Sequence, residues 1–296
     1  MQDNPLIEIG LPIALFVIMI GIGLTLTRAD FKREARAPRG MIVGALAQLL
    51  IMPALGFAIA ALLQLPPVLA VGLVIAAACP GGTTSNLIAF LARANVALSI
   101  TLTVIASVVT IVTLPIAGNL ALAWQPTAID GLVQVPVLRT VALLIGIILV
   151  PVLIGMTLRR QMLAYRVAML EKFVSALGAF VLVGLIIGIA WSVRDEFWQL
   201  LAQAGPATVL LNLAGLLVGG AVAALARLPL VDRLTCGIEL GVKNSTLGML
   251  IALNVIGSEE MAVPSAVYGL LMYVSALAVV AYGRRVARRG EQELLT

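Results

Sequence analysis

Long apolar stretches alternate with short polar connections along the whole chain. Nine can be bounded, at residues 6–27, 40–63, 67–91, 96–118, 135–158, 169–191, 206–228, 233–256 and 262–283. Each is near the roughly 20 apolar residues that a helix needs to cross a bilayer. A membrane β-strand would need only about ten residues of alternating polarity, so the pattern predicts helices. The first stretch is not a cleavable signal peptide. No Lys or Arg precedes it, its apolar run is too long, and the positive cluster follows it.

Two of the stretches break the pattern from within. The third contains Cys79-Pro80-Gly81-Gly82 followed by Thr83, Thr84, Ser85 and Asn86. Proline removes an amide donor and clashes with the preceding turn, and two glycines weaken the helix further. The eighth contains Glu239-Leu240-Gly241-Val242-Lys243-Asn244-Ser245-Thr246, which sets a carboxylate and an ammonium at mid-span. The two stretches lie five apart, so they run in opposite directions. Paired, interrupted helices in corresponding positions are the sequence mark of a transporter with inverted repeats, and they point to its binding site.

Composition narrows the class. Of 296 residues, 61% are hydrophobic and 11% are charged, and histidine is absent. A soluble globule of this size could not hide so much apolar surface, and a disordered chain would need the opposite balance. The lack of imidazole excludes Ser-His-Asp triads, Cys-His pairs and most transition-metal sites. Cys79 and Cys236 both lie in apolar stretches and form no disulfide framework. The expected fold is therefore an all-α polytopic membrane protein, a single transporter domain with no room for a second folded one.

Charge sets orientation. Sixteen of the nineteen Lys and Arg residues fall on one side of the alternating connections, led by Arg28, Lys32, Arg33, Arg36 and Arg39 after the first stretch. Only Arg139 and Arg194 fall on the other side, and Lys243 lies within a span. By the positive-inside rule the N-terminus is outside, the C-terminus is cytoplasmic and the number of spans is odd. The net charge of +5 is thus a topology signal and predicts no nucleic-acid partner. The expected setting is the cell (inner) membrane, with lipid around the apolar surface. The sequence specifies no oligomeric state, and a monomer is compatible with it.

Glu239 carries the most weight among candidate functional residues. A carboxylate at mid-bilayer costs about 2.5–3.5 kcal/mol on insertion scales, so it faces a cavity or a partner. Lys243 is four residues away, one turn if the helix continues, and a self-satisfied structural pair is the bland alternative. Ser99 and Thr103 share a helical face, which could complete an oxygen cage begun by Ser85 and Asn86. Gln48, Thr101, Ser107, Thr110, Asn212, Asn254 and Tyr273 are further polar residues within spans. Taken singly, such residues more often serve the structure. Trp191 and Tyr282 stand at segment ends, where aromatic anchors belong.

Several runs together resemble the bile acid:sodium symporter family. They are GIGLTLTRADF at 21–31, Gln48 followed by Met52-Pro53, CPGGTTSNLIAFLARANVALS at 79–99, and ELGVKNSTL at 239–247. The resemblance covers nearly the whole chain. It implies two inverted repeats with two discontinuous helices that cross, and a division into a panel and a core. The chain begins at what looks like the family's second helix, which leaves nine. The panel would comprise residues 6–27, 135–158 and 169–191, and the core residues 40–118 and 206–283.

By the same resemblance, one sodium site maps onto Ser85, Asn86, Ser99, Thr103 and Glu239, all matching in type. A second maps onto Gln48, Glu239 and the backbone of Leu240 and Val242. Its last ligand is a glutamine in sodium-coupled relatives and Lys243 here, and a fixed ammonium would take the second sodium's place. Substrate contacts map onto Thr83, Thr84, Asn244, Ser245, Met272 and Tyr273. Bile-acid-carrying relatives tend to have His-Asn where Met272-Tyr273 stands, so a small keto or hydroxy acid is as good a candidate as a bile acid.

The leading expectation is thus a secondary active transporter working by alternating access. It would couple Na⁺ to movement of an organic anion, with no cofactor and no enzymatic activity. The alternative is proton-coupled or sodium-independent transport that uses the Glu239/Lys243 pair. A passive facilitator is a further rival.

Overall fold

The computed structural model describes residues 10–25, 38–125, 135–192, 194–195 and 197–293, together with Glu34 and Arg36. Arg28, Lys32, Arg33 and the start of the first stretch lie outside the described residues. The described chain is helical, with no strand longer than one isolated bridge. The helices in order are α1 (Leu11–Thr25), α2 (Arg39–Leu62), α3 (Pro67–Ala78), α4 (Thr83–Leu91), α5 (Val96–Trp124) and α6 (Val137–Gln161). They continue with α7 (Ala164–Ser192), α8 (Phe197–Leu225), α9 (Leu230–Gly241), α10 (Ser245–Ile256) and α11 (Glu259–Glu293). Five of them, α2, α5, α6, α8 and α11, are long and apolar enough to cross a membrane.

The apolar surface is distributed as a lipid-facing protein requires. Leu50, Phe90, Phe180, Leu217 and Val274 stand more than 60% exposed on helix exteriors. By contrast, every residue of α3 from Leu69 to Ala78 is buried. A helix that is apolar all round belongs in the interior, and α3 packs there against α2, α5 and α11. The second half of α9 and the first half of α10 are buried in the same way.

Prolines shape the long helices without ending them. In α2 and α6 a widened π-type turn, at Ala47–Ile51 and Ile145–Leu149, precedes Pro53 and Pro151. The missing amide and the ring's clash with the preceding carbonyl are relieved by that extra residue in the turn. The sequence places the start of α8 at Pro206, but the helix begins at Phe197 and carries Pro206 inside it. In an apolar solvent an end there would strand several carbonyls, whereas a continuing helix forgoes a single bond.

Glycines set the closest packing. Gly23 of α1 and Gly155 of α6 face each other's backbone so closely that a methyl on either would collide with a carbonyl oxygen. The Arg159 side chain donates to the Leu24 carbonyl at the end of α1. Gly215 and Gly219 let α8 lie directly on α9, where a Cβ would stand 2.8 Å from the Leu240 carbonyl oxygen and 2.5 Å from that of Cys236.

Candidate functional site

The two interrupted stretches meet in the interior. α3 ends at Ala78, Cys79 is extended (φ −63, ψ 147), and α4 begins only after Gly82. α9 ends at Gly241, Val242 is extended (φ −109, ψ 105), and Asn244 caps α10 by accepting from the Leu247 amide at 3.1 Å. The two extended pieces pass each other antiparallel. Gly81 and Lys243 form a bridge, and the Asn244 amide donates to the Pro80 carbonyl at 2.9 Å. The crossing thus satisfies part of the backbone that each break exposes, as irregular backbone at membrane depth must be satisfied. At the C-terminal end of α9, the orphan Gly241 carbonyl accepts from Asn212 Nδ2 at 2.7 Å and from the Tyr268 hydroxyl at 2.8 Å. Asn212 therefore supports the break, as the bland reading had it. Tyr268 does the same, and its only trace in the sequence is a hydroxyl-bearing ring in an otherwise apolar run.

Glu239 sits in the last turn of α9 and is fully buried. Its Oε1 accepts from Ser99 Oγ at 2.5 Å and its Oε2 from Thr103 Oγ1 at 2.9 Å. Ser99 Oγ also lies 2.9 Å from Asn86 Oδ1, and Thr103 Oγ1 lies 3.4 Å from both Asn86 Oδ1 and Ser85 Oγ. Ser85 Oγ donates to the Gly82 carbonyl at 2.7 Å. The five residues of the expected first sodium site are therefore brought into one cluster by α4, α5 and α9. Its donors are hydroxyl, amide and carboxylate oxygens, the hard ligands that alkali and alkaline-earth cations take. Gly81 closes the cluster from the α3 side, and a methyl there would run into the Glu239 carboxylate.

α5 and α9 are fixed to each other one turn away. Asn95 caps α5, accepting from the Leu98 amide at 3.1 Å. Its Nδ2 donates to Asp232 Oδ1 at 2.9 Å, and its backbone amide donates to Thr235 Oγ1 at 2.9 Å. Asn95 is four residues before Ser99 and Thr235 four before Glu239, so this clamp sets the two helical faces that meet at the carboxylate. The spacing was readable, but nothing in the sequence says that the two positions touch.

The second expected locus is built differently. Lys243 is 1% exposed, and its Nζ has no hydrogen-bond partner. The helix is unwound between Glu239 and Lys243, so the one-turn pairing of a continuous helix does not arise, and the self-satisfied ion pair is not what the structure shows. Glu239 and Cys79 are the ionisable groups within electrostatic reach of the ammonium. Gln48, in the widened turn of α2, is buried with both amide atoms unpartnered. The Leu240 carbonyl faces Gly215 on α8, and the Val242 amide donates to Ile238.

The expected substrate residues divide. Thr83 and Thr84 are partly exposed at the start of α4. Asn244 and Ser245 sit at the head of α10, the latter with an unpartnered hydroxyl. Met272 packs with Tyr268 in an apolar cluster between α2, α3 and α11. Of the remaining polar residues, Ser107 bonds back to its own helix at the Thr103 carbonyl, 2.6 Å away.

Apolar helices broken at a polar, buried crossing are the architecture of a polytopic membrane transporter. The comparisons give that class its family. The profile of the "Sodium Bile acid symporter family" matches residues 12–200. The chain is 32% identical over 281 residues to the "Uncharacterized sodium-dependent transporter YocS" of Bacillus subtilis, covering 94% of this chain and 84% of that protein. It is 30% identical over 279 residues to the "Probable sodium/metabolite cotransporter BASS1, chloroplastic" of Arabidopsis thaliana, covering 93% and 67%. It is 29% identical over 254 residues to the human "Sodium/bile acid cotransporter 4", covering 83% and 56%. The chain belongs to the sodium bile acid symporter family.

Proposed function

We propose that the protein is a sodium-coupled symporter of an organic anion that works by alternating access. The observation that carries this reading is the convergence of Ser85, Asn86, Ser99, Thr103 and Glu239 into one buried oxygen cluster at the helix crossing. One Na⁺ would take up the position beside Glu239 toward which the Ser99 and Thr103 hydroxyls now donate. Ser99 and Thr103 would rotate to offer lone pairs, and the carboxylate would neutralise the ion. Lys243 would stand in for a second sodium: its ammonium would supply a fixed positive charge, and an added cation close to it would meet repulsion of several kcal/mol. The substrate anion would contact Thr83, Thr84, Asn244, Ser245 and Tyr273, with Met272 behind them.

Among the described residues, counting each broken pair as one gives nine crossings. This supports an N-terminus outside, a C-terminus in the cytoplasm, and a setting in the cell membrane. α1 packs on α6 and α7, which supports those three as the panel, with the other helices as the core that rocks against it. The relatives' names speak of metabolites and of bile acids, so pyruvate and taurocholate are the first substrates to test.

Uptake of each into proteoliposomes should require Na⁺ and saturate with a Hill coefficient of about 1, because one ion binds. Lys243→Gln should raise that coefficient toward about 2. Unchanged sodium kinetics in that variant would sink the replacement idea. The unpartnered ammonium next to Glu239 favours one second reading, a proton relay between the two. Uptake driven by a pH gradient alone in sodium-free buffer would establish it.

A further inference from the structure

We propose a second anion site, at the end of the molecule away from the basic loops. A cavity of about 420 Å³ opens there between the first turn of α1, the N-terminal end of α6 and the last turn of α10. Thr140 lines it. Thr140 is 1% exposed, and its hydroxyl has no hydrogen-bond partner, although its own amide makes the ordinary helical bond to the Pro136 carbonyl at 2.8 Å. A buried threonine in a helix normally turns its hydroxyl back on the preceding turn. This one is held beside a cavity with its donor unspent, next to the Asn254 side chain of α10.

Three further features give the cavity a sign. Arg139 lines it, and Arg139 is one of only two basic residues on this side of the chain's alternating connections. α6 starts here with Pro136 at its N-cap and no side chain capping the first-turn amides. Those amides and the helix dipole favour an anion. Among the described residues, none that lines the cavity is acidic. A guanidinium, a helix N-terminus and a buried spare hydroxyl together recognise a carboxylate or sulfonate on a small organic body. The apolar part of such a body would rest on Leu143 and Pro12.

The same helix joins this cavity to the crossing. α10 runs from Ser245 at the break to Asn254 at the cavity, about 14 Å at the helical rise. The site would therefore be a vestibule that collects the transported anion from outside before the crossing opens to it. That role rests on the orientation and the organic-anion reading above. The anion preference itself does not.

The test uses the full chain in detergent, with Leu143→Cys as reporter and the buried Cys79 and Cys236 left in place. Parent protein without the reporter corrects for background labelling. Rates of modification by an anionic and a cationic methanethiosulfonate of similar size are each divided by the rate with free cysteine. The anionic reagent should be favoured about tenfold, as expected for a positive cleft. Arg139→Gln should bring the ratio near one. Pyruvate should slow labelling more than potassium chloride at equal ionic strength, and Thr140→Val should remove that difference while leaving the charge preference. A ratio near one in the reporter protein, a ratio unaffected by Arg139→Gln, or equal protection by chloride and pyruvate would overturn the proposal. Val255→Cys serves as a second reporter on α10 should Leu143→Cys misfold. Labelling of intact cells then reports sidedness: modification from outside supports the vestibule, and modification only from inside overturns it. No step in detergent needs sodium, so a loss of sodium-coupled uptake and a loss of anion preference are separate results.

Discussion

The two charged residues at the crossing are four positions apart and live in opposite circumstances. Glu239 is fully buried, and each of its oxygens accepts a hydroxyl, in a cluster that extends through Asn86 to Ser85. Lys243 is equally buried, and its ammonium is bonded to nothing, with Gln48 and the Ser245 hydroxyl unpartnered as well. A buried polar network stabilises when complete and is expensive when half-made. On the Glu239 side both carboxylate oxygens are thus satisfied, while Asn86 in the same cluster keeps an unpartnered Nδ2. On the Lys243 side the ammonium itself has no partner.

The largest expected effect is on the Glu239 side. Glu239→Gln keeps the shape and removes the charge that would neutralise a bound ion. Sodium affinity should fall by about a hundredfold, the scale of losing one charge-assisted contact in a buried site. Sodium-dependent uptake or sodium titration of thermal stability checks this. Sodium dependence like that of the parent protein would mean that the carboxylate is only structural.

The opposite sign is expected on the other side. Lys243→Met replaces an unpartnered buried ammonium by an apolar chain of similar length. Removing a buried, unpartnered ion relieves a desolvation penalty of several kcal/mol. Melting in detergent, without sodium or substrate, should therefore move up or stay level, while transport is lost. A clear drop in melting temperature would show that the ammonium has a partner in the working protein and would erase the contrast between the halves.

Much of this contrast was legible beforehand, and its limits have physical causes. The breaks at Cys79–Gly82 and near Glu239 could be read because Pro-Gly-Gly and mid-span charges are conspicuous against apolar surroundings. The five cage residues could be assembled from spacing and resemblance. The state of Lys243 could not, because a continuous helix and a broken one give it opposite surroundings, and the sequence between Glu239 and Lys243 allows both. The start of α8 was misplaced at Pro206 for a related reason: proline's usual meaning as a helix boundary is learned in water, and the bilayer removes the alternative partners. Gly81's tight seat against the carboxylate and Tyr268's bond to Gly241 are tertiary contacts that no local pattern announces.

A smaller effect is expected where backbone meets the cage. Gly81→Ala adds a methyl that collides with the Glu239 carboxylate. Backbone pairing with Lys243 holds the glycine in place, so the carboxylate must yield. Sodium affinity should fall about tenfold, the size of a one-rotamer displacement in a packed site. Substrate binding measured at saturating sodium should change little. If both fall together, the substitution has disturbed the crossing as a whole.

The smallest predicted effect tests whether the Glu239 cage depends on its frame. Asn95 meets the cage through its backbone carbonyl, which accepts from the Ser99 amide, and it joins α5 to α9 through Asp232 and Thr235, one turn from Glu239. Asn95→Ala removes the α5 cap and the bond to Asp232, while the backbone amide can still reach Thr235. Loss of a cap costs about 1 kcal/mol of stability, and a slight shear between the two helices would lengthen both hydroxyl bonds to the carboxylate. Sodium affinity should fall about threefold to fivefold, within the range for one weakened hydrogen bond. Asn95→Asp keeps the cap but turns a donor toward Asp232 into a second carboxylate. It should restore the melting temperature without restoring sodium affinity. If Asn95→Asp restores both, Asn95 acts only as a cap, and the geometry of the cage is set within the crossing itself.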